Sequence, residues 1–175
     1  MLVVELAALF HDLFDAKYTS VNGDAKLDIS SWLATRSVPE SETSLVVRII
    51  SNVSYTKEIL LRQNGGWTKW HEECIELHCV MDADKLDAIG AFGIFRCAAF
   101  SGSRNIPLYL PEDDEMYKKC AVGHFGDKLF KLENMMMTEI GRKVAKKRTE
   151  IMKQIIKDIK GEADLLDFEE YIPSR

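Results

Sequence analysis

The sequence predicts an all-α protein, a helical bundle forming one domain over residues 1–175. Three observations lead there. Residues 2 to 15 are rich in Leu, Ala and Val and contain no Gly or Pro. Residues 83 to 100 read as a further long helix containing the uncharged apolar run Ala88 to Phe95. Finally, Leu129, Leu132, Met136, Ile140, Val144, Ile151, Ile155 and Ile159 recur near the helical period with Lys and Arg between them. A chain of 175 residues that is 46% hydrophobic can bury one sizeable core.

Taken in order, residues 2 to 15 are apolar all round, which predicts a central helix packed by others. After the turn at Asn22-Gly23, residues 24 to 33 predict a short helix, and Ser37-Val38-Pro39-Glu40 punctuates before the next one. The segment from Ser41 through Leu45-Val46-Val47-Arg48-Ile49-Ile50 is β-branched enough for a strand, but helix is favoured. Gln63-Asn64-Gly65-Gly66 reads as a loop, Trp67 to Met81 as a helix anchored by Trp67 and Trp70, and Ala83 to Phe100 as its continuation. Gly90 and Gly93 are spaced for close approach of a neighbouring backbone. Residues 101–123, with Pro107, Pro111 and the acidic run Glu112 to Glu115, predict a loop or lid containing a short strand at Leu108 to Leu110. Helices from Phe125 to about Lys160 follow, with Met135-Met136-Met137 as adaptable packing, and residues 161–175 form a C-terminal extension.

Charge and composition narrow the function classes. A net charge of -5 and a pI near 5.4 argue against a general polyanion-binding surface, so nucleic acid is not expected as a partner. The longest apolar runs fall short of the roughly 20 residues that span a bilayer. Met1-Leu2-Val3-Val4-Glu5 has no basic leader, which predicts a cytoplasmic protein. Cys74, Cys79, Cys97 and Cys120 show no C-x-x-C spacing and sit among core-type residues, as reduced thiols do.

The chemistry concentrates at His11-Asp12 and at Asp82-Ala83-Asp84-Lys85-Leu86-Asp87. Ionisable groups rising out of apolar sequence need a compensating partner, and a divalent cation is one. Consecutive residues diverge by about 100° on a regular helix, so His11 and Asp12 can serve one ion only if the helix ends there. One imidazole with carboxylates makes a mixed N/O donor set suited to Mn, Mg, Fe or Zn. Asp82 reads either as a helix cap or as a partner behind the site, and Asp87 as a partner one turn from Asp84. His71, Cys74 and His78 share one helical face, which fits either helix packing or a zinc site.

The strings Ala7-Ala8-Leu9-Phe10-His11-Asp12-Leu13-Phe14-Asp15-Ala16-Lys17 and Asp82-Ala83-Asp84-Lys85-Leu86-Asp87-Ala88-Ile89-Gly90, with the later His124-Phe125, Lys128-Leu129 and Met137-Thr138, resemble the HD-domain metal-dependent phosphohydrolases. The likeness is greatest to the small stand-alone HD proteins, and it runs from Leu2 to about Met152. It implies an HD-domain-like helical bundle holding a divalent metal through the doublet His11 and Asp12 and through Asp84. A further His ligand of the family lies upstream of the doublet, in a segment with which this sequence does not begin. The resemblance also implies a small phosphorylated substrate, by family precedent a nucleotide, hydrolysed by metal-activated water. Asp12 and Lys17 would act in catalysis, Lys17, His124, Lys128 and Arg142 would bind substrate, and Asp82 and Asp87 would support the metal ligands. The alternative is a catalytically impaired HD-fold protein acting as a binding or interaction module, and either form could pair into a homo-oligomer to cover apolar surface.

Overall fold

In the computed structural model, which describes residues 1–14 and 29–163, all regular structure among the described residues is helical. Helices α1 (Leu2–Phe10), α2 (Ile29–Thr35), α3 (Glu40–Ile50), α4 (Tyr55–Gln63) and α5 (Lys69–Glu73) precede α6 (Ile75–Asp87). After it come α7 (Gly90–Ser103), α8 (Ala121–Asp127) and α9 (Glu139–Ala163). Short 3-10 turns cover His11–Phe14, Tyr117–Lys119 and Leu129–Met135. Lys17, the start of the helix expected from residue 24 and residues 164–175 lie outside the described residues. The chain divides into two compact units, Met1–Asp84 and Lys85–Arg175.

In the first unit α1 and α2 both pack on α3. The β-branched segment is helical because burial selects it: Thr43, Val46, Ile49 and Ile50 fall on one helical stripe against the core. Pro39 precedes its first turn, where Glu40 and Glu42 oppose the positive end of the helix dipole. Packing here overrides strand propensity. Ala7 and Phe10 of α1, Leu33 of α2 and Leu77, Val80 and Met81 of α6 complete this core. Each fully buried large aliphatic contributes about 1.5–3 kcal/mol, so this shared cluster stabilises the end of α1 and the α6 residues Leu77, Val80 and Met81 together. The expectation that α1 is buried all round fails, since Leu2 and Leu9 are exposed and only one of its faces enters the core.

The predicted continuous helix from Trp67 onward is broken twice. Thr68 caps α5 together with the His71 side chain, and Cys74 then leaves the helical region at φ -77°, ψ 96°, separating α5 from α6. Ile89 is extended and Gly90 takes φ +85°, a left-handed conformation that glycine alone adopts without strain, so α7 starts afresh there. Packing also carries α7 on to Ser103 and starts α8 at Ala121, trimming the expected 101–123 loop at both ends. Residues 108–110 form no strand. The backbone groups there are used otherwise: Ala121 N–H donates to the Pro107 carbonyl at 2.9 Å and Val122 N–H to the Leu108 carbonyl at 3.0 Å.

In the second unit α7 packs on α9. The face that α9 buries is Gly141, Ala145, Thr149, Met152 and Ile156, whereas Ile140 and Ile151, expected inside, are exposed. The periodicity was legible, but its phase was not. Small residues let two helix axes approach, and the bulkier β-branched positions that mark the period in the sequence rotate out by about one residue, roughly 100°.

Candidate functional site

The first unit brings His11, Asp12 and Asp84 together. Helix α1 ends at Phe10, and the chain tightens into the 3-10 turn His11–Phe14, which removes the divergence that a continued α-helix would impose. The last carbonyls of a helix lack intrahelical donors. His11 Nδ1 answers one of them by donating to the Ala8 carbonyl at 2.7 Å. That bond fixes the tautomer and turns Nε2 towards the carboxylates, 3.3 Å from Asp12 Oδ1 and 3.5 Å from Asp84 Oδ1. Ala8 was not legible as a site residue in the sequence; its signal is only a position three residues before a histidine at a helix end.

The electrostatics follow. The hydrogen bond to Asp84, the Ala8 carbonyl and the charge of Asp12 together outweigh desolvation, and His11 is raised from 6.5 to about 9. An imidazole with two anions at Nε2 demands a cation there, whether a proton or a metal ion. Two donors of one metal, each at about 2.1 Å, stand about 3.0–3.4 Å apart, and both His11 pairs lie at or near that range. The donors thus fit a divalent ion pairwise and in chemistry. Among the described residues no group of three or more His, Cys, Asp or Glu side chains stands in a closed metal-holding arrangement. Asp12 and Asp84 remain 54% and 39% exposed, so the carboxylates face solvent on one side.

The other expected residues fall elsewhere. Asp82 is buried within α6, so it is not a helix cap. Asp87, expected behind Asp84, is well exposed and paired with Arg96. Arg142 spends Nη1 on the Met136 and Met137 carbonyls at 3.1 and 3.0 Å, holding the entry to α9. Lys128 follows α8, its N–H bonded to the His124 carbonyl. His124 is half-buried, and desolvation, aided by the charge of Lys128, lowers its pKa.

His71, Cys74 and His78 make no zinc site. Thr68 N–H donates to His71 Nδ1 at 3.1 Å, which leaves Nε2–H to face Asn52 Oδ1 at 3.3 Å. His78 Nε2 donates to the His71 carbonyl at 2.8 Å. Both rings are satisfied core groups, and His71 stacks on Trp67 with centroids 4.7 Å apart. All four cysteines are free thiols.

An all-helical fold with a His-Asp doublet at one helix end and an aspartate from a later helix defines a class, and this chain belongs to the HD superfamily. It is 32% identical over 169 residues to YpgQ of Bacillus subtilis, spanning 97% of this chain and 76% of YpgQ. A crystal structure of YpgQ in complex with ADP matches with a TM-score of 0.72 over 92% of this chain and 76% of that one. An HD-superfamily hydrolase from Bacillus thuringiensis, 31% identical, matches with a TM-score of 0.67 over 93% of this chain and 73% of its own. No protein-family model matches the chain. The fold is thus a hydrolase fold, and among the described residues no helix is long and apolar enough to cross a membrane.

Proposed function

We propose that this protein is a metal-dependent phosphohydrolase acting on nucleotides or related phosphate esters and anhydrides. The observation that carries the reading is the disposition of His11, whose Nδ1 is committed to the Ala8 carbonyl while Nε2 faces two carboxylates. Likeness to an HD-superfamily hydrolase supports the reaction class, and the ADP complex of YpgQ supports a nucleotide as ligand.

His11, Asp12 and Asp84 would hold the ion. When bound, a divalent cation lowers the pKa of water and polarises a phosphoryl oxygen. Asp12, the more exposed carboxylate, orients the attacking water and accepts its proton. A bound cation would replace the proton at Nε2, while Nδ1–H goes on donating to the Ala8 carbonyl. Lys17 would supply positive charge for substrate phosphates, and Asp82, buried in α6, would steady the segment that carries Asp84. Asp87 pairs with Arg96, so it is left out of the proposed support of the metal ligands.

The test is metal content by elemental analysis of the chain, His11→Ala and Asp84→Ala, with phosphate and pyrophosphate release from a nucleotide panel measured on the same samples. Stoichiometric metal with turnover, both lost in the variants, is expected. A folded protein with neither metal nor turnover would leave the binding-module reading instead, to which the lack of a closed donor cluster among the described residues would then belong.

A further inference from the structure

The second unit contains a cavity of about 780 Å³ at the C-terminal end of α7. That is within the roughly 300–1,000 Å³ of small-molecule sites. Its walls are Cys97, Phe100, Ile106, Leu110 and Met116, with His124 reaching in from α8. One wall is preformed by backbone bonds, because Ala121 and Val122 tie α8 to Pro107 and Leu108. A second constraint is Gly123, against whose Cα the Tyr117 carbonyl packs so closely that no side chain fits. The chain around this space therefore does not need to order itself on binding, which lowers the cost of taking up a ligand.

Ser101, Asn105, Asp114, Lys118, Lys119 and His124 supply the polar part of the lining. Lys118 and Lys119, both exposed, line it alongside Asp114. Asp114 already accepts a hydrogen bond from the Met116 N–H at 2.7 Å. Burial lowers the His124 pKa from its ordinary value by disfavouring the charged ring. Two ammonium groups against one carboxylate leave the charged part of this mostly apolar lining net positive.

We propose that this cavity binds a small amphipathic anion, an aromatic carboxylate, with its ring against Phe100, Ile106, Leu110 and Met116 and its carboxylate turned to Lys118 and Lys119. The apolar walls select the ring by burial, and the lysines select the charge. Asp114 disfavours a second negative charge, so a polyphosphate suits the lining less well than a monoanion. This inference does not rest on the phosphohydrolase reading.

The experiment is calorimetric titration of the full chain with 2-naphthoate, with the neutral 2-naphthalenemethanol, and with 2-naphthoate in saturating ADP. The same titrations are made on Lys118→Glu/Lys119→Glu, two exposed positions whose reversal leaves the fold intact by circular dichroism. Saturable one-to-one binding of naphthoate is expected, about tenfold weaker for the neutral analogue and in the double variant, and unchanged by ADP. Absence of saturable binding, equal affinity for the neutral analogue, full binding in the double variant, or competitive displacement by ADP would each overturn the proposal.

Discussion

Replacing Asp84 with Asn should release His11 from its raised pKa. The hydrogen bond to Asp84 is the largest influence lifting His11 from 6.5 to about 9. An amide of the same shape removes the anion and keeps the packing. At about 1.4 kcal/mol per pH unit, the full displacement corresponds to roughly 3.5 kcal/mol. Asp84 and Asp12 are 39% and 54% exposed, so solvent screening reduces the realised stabilisation to about 1 kcal/mol. The sign is fixed by linkage. The folded imidazole holds its proton more tightly than the unfolded one, so the stabilisation is complete below pH 6.5 and disappears as pH rises from 6.5 to about 9. The assay is ¹³C-edited NMR titration of the His11 ring in chelator-treated protein. In D84N the midpoint should fall towards 6.5, and the alkaline loss of stability seen by urea denaturation in the unmodified chain should flatten. Adding Zn²⁺ to the unmodified protein should suppress the titration, because proton and cation compete for Nε2. An unmodified midpoint near 6.5, or one unmoved by D84N, would refute the geometry on which the site is built.

Three further outcomes follow. Gly123→Ala should cost at least about 3 kcal/mol, since its Cβ would meet the Tyr117 carbonyl, whereas Gly126→Ala in the same helix meets nothing within 4 Å and should be neutral or stabilising by up to about 1 kcal/mol; thermal melts of the two separate the cases. Glu58 is fully buried and bonded at 3.0 Å to Arg62, itself 42% exposed, so Glu58→Ala should destabilise by about 1–2 kcal/mol in urea, and no measurable loss would contradict the burial of that carboxylate. His71→Ala should lower stability by about 2 kcal/mol through lost stacking and cap bonds while leaving bound metal unchanged, and loss of metal on that change would restore the rejected zinc reading.

Helical periodicity and the absence of breakers determined the all-α class from residues alone, because local hydrogen bonding and a repeating apolar stripe are properties of short windows. The doublet His11-Asp12 and the later Asp84 were equally legible, since ionisable groups stand out against apolar neighbours. Tertiary structure decided what depends on distant partners. It set which side of α9 faces α7, because close approach favours Gly141, Ala145 and Thr149 over the larger residues that mark the period. It ended α1 at Phe10 and let His11 Nδ1–H donate to the Ala8 carbonyl, turning two separated motifs into one pair of contacts at Nε2. It also assembled the cavity from Cys97 to His124, whose walls carry no motif: their chemistry lies in shape, and shape is made by residues that the sequence keeps apart.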